Sequence, residues 1–297
     1  MSDHRSREIL PGAVFVSLCF VWGSTWLAIK VGLSFLPPLT FAGFRFLVAS
    51  AILFVYGMAR KTRLPTDRFS WKIMSFLSIT QIVVAYALAF WGEQYLTAGL
   101  TALLFATLPF FVAALAHFVI PGERFTLWKM AGMLVSFVGV AIIFSRELAI
   151  TGNSFWGGLA VIASAASAAC ANVVGKKYSE AISPTINVIV QIGIGAIVLS
   201  IAGITMEHGL PITLNFESLF AILYLAAAGS AFGFVALYWL FTKMEVTKTS
   251  VFTFITPIVA VLLGWLLLGE SVDLNVAVGG ALILAGVVLV NRSPIAG

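Results

Sequence analysis

The stretch TALLFATLPFFVAALAHFVIPGERF, Thr101 to Phe125, decides the fold because the chain carries it twice. The second copy is TSVFTFITPIVAVLLGWLLLGESV, Thr249 to Val272. Each is an apolar run of helix length with a proline near its middle, Pro109 and Pro257, and a Gly-Glu pair at its end. Beyond Glu123 and Glu270, glycines recur at the same two offsets: Gly132 and Gly139, then Gly279 and Gly286. Gly132 and Gly279 are 147 residues apart. The chain therefore reads as two copies of one module, residues 1–148 and 149–297.

Composition says where the module lives. Of 297 residues, 61% are hydrophobic and only 10% charged, with a mean hydropathy of +1.06. A soluble domain carries about 25% charged residues. About 20 apolar residues cross a bilayer as one helix, and backbone inside lipid must satisfy its own hydrogen bonds. The alternating pattern of a transmembrane barrel is absent. The apolar runs predict ten helical spans at 10–33, 38–59, 71–94, 98–120, 127–146, 154–176, 184–206, 217–242, 249–268 and 274–292. The charged start (His4, Arg5, Arg7) is followed by no A-x-A-like cleavage site, so the first run is expected to be kept as a span. Cys19 and Cys170 both fall inside spans, where they serve packing.

Orientation follows from the basic residues. Arg5, Arg7, Arg60, Lys61, Arg63, Arg68, Lys72, Arg124, Lys129, Lys176, Lys177, Lys243, Lys248 and Arg292 fall on one side of this topology. Only Arg146 falls on the other, while Lys30 and Arg45 lie within spans. The positive-inside rule then places both termini in the cytoplasm. The pI near 9.4 is explained by this asymmetry, without nucleic acid. YALAFW (Tyr86–Trp91) is echoed by FVALYW (Phe234–Trp239), and Lys30 and Pro37 pair with Lys177 and Pro184. Five spans per copy is an odd number, so the second copy runs inverted through the membrane. Inverted repeats around a central cavity are the architecture of alternating-access transporters.

At these residues the chain resembles the EamA family of the drug/metabolite transporter superfamily. The matching features are FVWGSTWLAIKVGL in span one, FAGFRFLVASAIL in span two, and the TALLFATLPFFVAAL stretch with its Gly-Glu and its twin. Within that family it looks most like the YddG-type aromatic amino-acid exporters. The resemblance implies ten helices in two inverted five-helix repeats, a cavity between the halves, and export of small metabolites across the bacterial inner membrane. One departure stands out: smaller multidrug relatives carry an acid in the first span, and PGAVFVSLCFVWGSTWLAIK has none.

Candidate functional residues follow from the expense of polar groups in lipid. Lys30, Arg45 and Glu93 lie toward the outer ends of spans one to three. They read as a gate in which Glu93 compensates Arg45, or else as a static pair with snorkelling stems. Trp22, Ser24, Gln81, Tyr86, Phe105, Asn172 and Thr253 are expected to line the substrate cavity. Pro109 and Pro257 permit a kink that serves as hinge or as a fixed bend. Thr107 and Thr256, beside them, are placed to satisfy helix backbone. The glycine pairs let spans five and ten pack closely.

Enzyme readings find little. There is no G-x-x-x-x-G-K-[ST] and no H-E-x-x-H, and the acidic residues fall in loops, tails or span ends, so no paired carboxylates mark a catalytic site. No cofactor or metal is expected. The expected partners are a small-molecule solute and the lipid bilayer, with the chain acting as a monomer. The function expected is secondary export of amino acids with aromatic or apolar side chains, with multidrug export by the same fold and a membrane-embedded enzyme or subunit as the other readings.

Overall fold

The computed structural model describes residues 2–120, 126–150, 152–244, 246–249 and 252–291. Gly122, Glu123, Arg124 and Arg292, which enter the repeat and charge arguments, lie outside them. Among the described residues there is helix and no strand. The helices are α1 (Ser2–Leu33), α2 (Pro38–Ala59), α3 (Arg68–Glu93), α4 (Ala98–Val119), α5 (Leu127–Ile150), α6 (Gly152–Lys177), α7 (Pro184–Met206), α8 (Phe216–Phe241), α9 (Phe252–Leu268) and α10 (Leu274–Asn291). A single helical turn, Val246–Thr249, precedes α9. Among the described residues, seven helices are long and apolar enough to cross a membrane: α1 to α4 and α6 to α8. Shorter apolar helical stretches lie in α5, α9 and α10.

The helix starts are written locally. Pro37 is extended and Pro38 opens α2, where its missing N–H costs nothing. Asp67 caps α3 by accepting from the Ser70 amide at 2.7 Å, and Asn215 and Ser218 form a reciprocal capping box on α8. Three helices are not regular throughout. α4 breaks at Ala106–Thr107 and restarts at Leu108, with Pro109 in the first turn of the new piece. α3 and α8 each contain a π-helical stretch, Ser78–Val84 and Leu225–Phe232. The starts of those two stretches are 147 residues apart, so the widened winding is itself repeated. Such wider turns shift side-chain phase and concentrate at functional sites.

Packing between the halves is reciprocal. α1 lies against α8 and α9, and α6 lies against α3 and α4; α2 pairs with α7, and α5 with α10. In the last pair, the Ser136 hydroxyl donates to the Ile283 carbonyl at 2.9 Å, and those residues are 147 apart. A Cβ on Gly139 would stand 2.5 Å from the Gly279 carbonyl oxygen, and one on Gly286 would strike Gly132 and Ser136. Each glycine of one copy thus faces the non-matching glycine of the other. That is the pattern of a self-complementary interface. The close backbone approach expected of these glycines is present.

Candidate functional site

The two halves enclose a cavity at their crossing. α1 contributes Trp22, Thr25, Trp26 and Ile29, which at spacings of three, four and seven share one helix face. Gln81, Ala85, Tyr86 and Ala89 come from α3, Phe105 and Leu108 from α4, and Ser164 and Asn172 from α6. α8 adds Phe234 and Leu237, α9 adds Phe252 and Thr256, and α2 adds a single side chain, Arg45. The wall mirrors the repeat: Thr25 faces in from one half and Asn172, 147 residues on, from the other. The cavity volume is about 60 Å³. That holds about four waters and falls well short of the ~300–1,000 Å³ of ligand pockets. A solute the size of an amino acid enters only if helices part.

Arg45 dominates the electrostatics. It is 1% exposed, its Nε donates to Ser230 Oγ at 2.8 Å, and its Nη2 reaches Tyr86 Oη at 3.5 Å. The guanidinium carbon lies 4.6 Å from the Tyr86 ring centre, 5.1 Å from Phe46 and 5.9 Å from Phe90. Aromatic faces attract a desolvated cation, but they do not fill its donors. Nη1 is buried and has no hydrogen-bond partner.

The expected Arg45–Glu93 pair acts through space and without a direct hydrogen bond. Glu93 is the last residue of α3, fully buried, and neither carboxylate oxygen has a hydrogen-bond partner. Tyr86, level with Arg45, is seven residues earlier on the same helix. At 1.5 Å rise per residue, Glu93 sits about 10 Å further toward the end of α3. Phe90, also against the guanidinium, is only three residues before Glu93, so the two charges act on each other without touching.

Five of the seven expected cavity residues stand on the wall: Trp22, Gln81, Tyr86, Phe105 and Asn172. Trp22 is fixed there by donating Nε1–H to the Gly229 carbonyl at 2.9 Å, within the π-helical stretch of α8. Ser24 does not line it. Two residues from both Trp22 and Trp26, it points to the far face of α1, where its hydroxyl meets Tyr224 Oη at 2.5 Å. Thr253 is buried beside the cavity but off its wall, which α9 builds from Phe252 and Thr256, one helical turn apart. Thr25, Trp26, Ser164, Phe234 and Phe252 also stand on the wall and were not expected there from the sequence. The i, i+3, i+4, i+7 series starting at Trp22 was the signal available for Thr25 and Trp26. Beside the prolines, Thr107 Oγ1 donates to the Leu104 carbonyl (2.7 Å) and Thr256 Oγ1 to the Thr253 carbonyl (3.4 Å), the backbone role expected of both.

The sequence profile of the EamA-like transporter family matches residues 10–145 and, a second time, residues 155–292. This chain belongs to that family. The transporter YoaV of Bacillus subtilis, described as uncharacterized, is 27% identical over 281 residues, covering 94% of this chain and 95% of its own. The inner membrane transporter YedA of Escherichia coli K12, also described as uncharacterized, is 28% identical over 290 residues, 97% of this chain and 92% of its own. A solved crystal structure with 18% identity superposes with a TM-score of 0.70, over 94% of this chain and 95% of that one. The protein is thus a multi-pass membrane transporter of the EamA type.

In this EamA-like chain, charged side chains tie off helix ends on both flanks of the cavity. Lys30 Nζ donates to the carbonyls of Glu93 (3.0 Å), Gln94 (3.4 Å) and Leu96 (2.6 Å), at the end of α3. Lys176 Nζ donates to the carbonyls of Phe241 (2.7 Å) and Met244 (3.1 Å), at the end of α8. The structural counterpart of Lys30 is therefore Lys176, not Lys177 as the offset of 147 suggests. Cations suit the carbonyl-bearing ends of helices. Carboxylates take the opposite ends: Glu270 accepts from the amides of Ala98 (2.9 Å) and Gly99 (3.4 Å) at the start of α4, and Glu207 from those of Leu39 and Thr40, both at 2.8 Å, at the start of α2.

Proposed function

We propose that this chain is a secondary transporter that exports small metabolites, chiefly amino acids with aromatic or apolar side chains, across the bacterial inner membrane by alternating access. In this reading α1 to α10 are ten traverses forming two inverted repeats, with both termini cytoplasmic. One chain builds the whole cavity, so the monomer is the working unit. The observation that carries the reading is the cavity itself. It lies where the copies cross and is lined by Trp22, Trp26, Tyr86, Phe105, Phe234 and Phe252, with Gln81 and Asn172 as polar points. The likeness to YddG-type exporters favours the same substrates.

Opening toward one side and then the other needs hinges. The break at Ala106–Thr107 beside Pro109, and the bend that Pro257 permits inside α9, supply them in matching positions. Lys30 and Lys176 are the gates of the two ends. Multidrug export is the weaker reading, because among the described residues the cavity wall carries a cation, Arg45, and no acid. A fixed positive charge repels lipophilic cations in a medium of low dielectric.

The test is transport by purified protein in liposomes. Labelled phenylalanine should move down its own gradient without an imposed pH gradient, and ethidium should not. Flux in protein-only liposomes also excludes a purely structural or enzymatic role. Ethidium flux without phenylalanine flux, or flux that stops when the pH gradient is removed, refutes the reading.

A further inference from the structure

Three buried polar atoms on the cavity side chains have no partner: Nη1 of Arg45, Oε1 of Gln81 and Oδ1 of Asn172. All three residues stand on the wall of the same cavity. Buried polar groups left unmade are costly and uncommon, and three on side chains that wall one cavity point to a ligand that completes them. The first is a donor on a permanent cation; the other two are neutral acceptors. The complement of that set is a group with an anionic, multiply accepting end and a nearby N–H donor end. An α-amino acid zwitterion has both.

We propose that Arg45 is the carboxylate-binding group of the transport cavity, with Gln81 and Asn172 accepting from the substrate ammonium. The proposal rests on the transport reading above and names the chemistry of its site. A guanidinium presents parallel N–H donors that match a carboxylate in a fixed plane. Ser230 occupies Nε and orients that plane, and the Tyr86 ring beneath it holds the cation without neutralising it. Among the described residues no acid stands on the cavity wall, so the charge a solute meets there is the guanidinium. A solute carrying only an ammonium adds to that charge, whereas one carrying a carboxylate cancels it. The substrate side chain is left to the rings of Trp22, Phe105 and Phe252.

The experiment compares three probes in liposomes containing the purified full chain: phenylalanine, phenylalaninamide, which lacks the carboxylate, and 3-phenylpropionate, which lacks the ammonium. Losing a charge-assisted hydrogen bond costs about tenfold to a hundredfold. Phenylalanine flux should exceed phenylalaninamide flux by at least about tenfold, with 3-phenylpropionate between them. Arg45→Gln should bring phenylalanine down to the level of the amide, and Arg45→Lys should recover part of the difference. The wild-type comparison stands even if Arg45→Gln does not fold. Equal flux of phenylalanine and its amide, or a folded Arg45→Gln protein that discriminates as wild type does, overturns the proposal and leaves transport standing. No flux of any probe overturns both.

Discussion

If Lys30 and Lys176 latch opposite ends of the cavity, removing one ammonium should open one end and not the other. In Lys30→Met the apolar stem is kept, while three carbonyls at 2.6 to 3.4 Å lose their donor. A hydrogen bond to a charged group is worth about 1.5–3 kcal/mol net, and the half-buried ammonium also neutralises the end of α3. Counting one effective bond and about 0.3–1 kcal/mol for the helix-end charge, the closed arrangement loses about 2–4 kcal/mol. That is about thirtyfold to nearly a thousandfold in population. Lys176→Met loses two contacts, at 2.7 and 3.1 Å, and should act more weakly at the other end. The assay begins with Cys19→Ala and Cys170→Ala, which remove the free thiols. Ala89→Cys then places one thiol on the cavity wall. An impermeant maleimide is added to right-side-out and to inverted vesicles. Lys30→Met should speed labelling from one side only, and Lys176→Met from the opposite side only. Faster labelling from the same side in both variants, or no change in either, refutes the latch.

Gly139→Leu should abolish stable expression, because its Cβ alone would stand 2.5 Å from the Gly279 carbonyl oxygen. Gly12→Ala meets nothing within 4 Å and should hold or slightly raise the melting temperature, since alanine favours helix by about 1 kcal/mol. Ser230→Ala should lower stability by about 1.5–3 kcal/mol in denaturation, because it orphans the buried Nε of Arg45; Tyr86→Phe, losing only a 3.5 Å contact, should cost less. The Ser70 amide holds the Asp67 carboxyl below its ordinary value. A carboxyl so lowered contributes stability above its unfolded-state value and loses it as pH falls. Melting temperature should therefore drop on the acid side, and Asp67→Asn, which still caps the helix, should flatten that limb.

The helices and the repeat were legible without coordinates, because lipid permits few backbone solutions. Apolar runs such as 38–59 and 184–206 can only be helices there, and the expected limits of both coincide with α2 and α7. The spacing of Gly132 and Gly139 likewise announced a close helix contact, since seven residues return to the same face. What sequence could not carry was phase and depth. Whether Ser24 or Thr25 faces the cavity turns on 100° of rotation, and Trp22 settles it by reaching the Gly229 carbonyl across the molecule. The π-helical windings of α3 and α8 have no sequence signature here and rotate everything beyond them. Arg45 looked bound to Glu93 because opposite charges attract and no other acid stood nearby. Folding instead hydrogen-bonds it to Ser230 and sets it against Tyr86, leaving Glu93 to act on it only through space. Its partner is chosen by which helices pack together, and that is a tertiary fact: side chains separated by 185 residues meet only when the second copy folds back on the first.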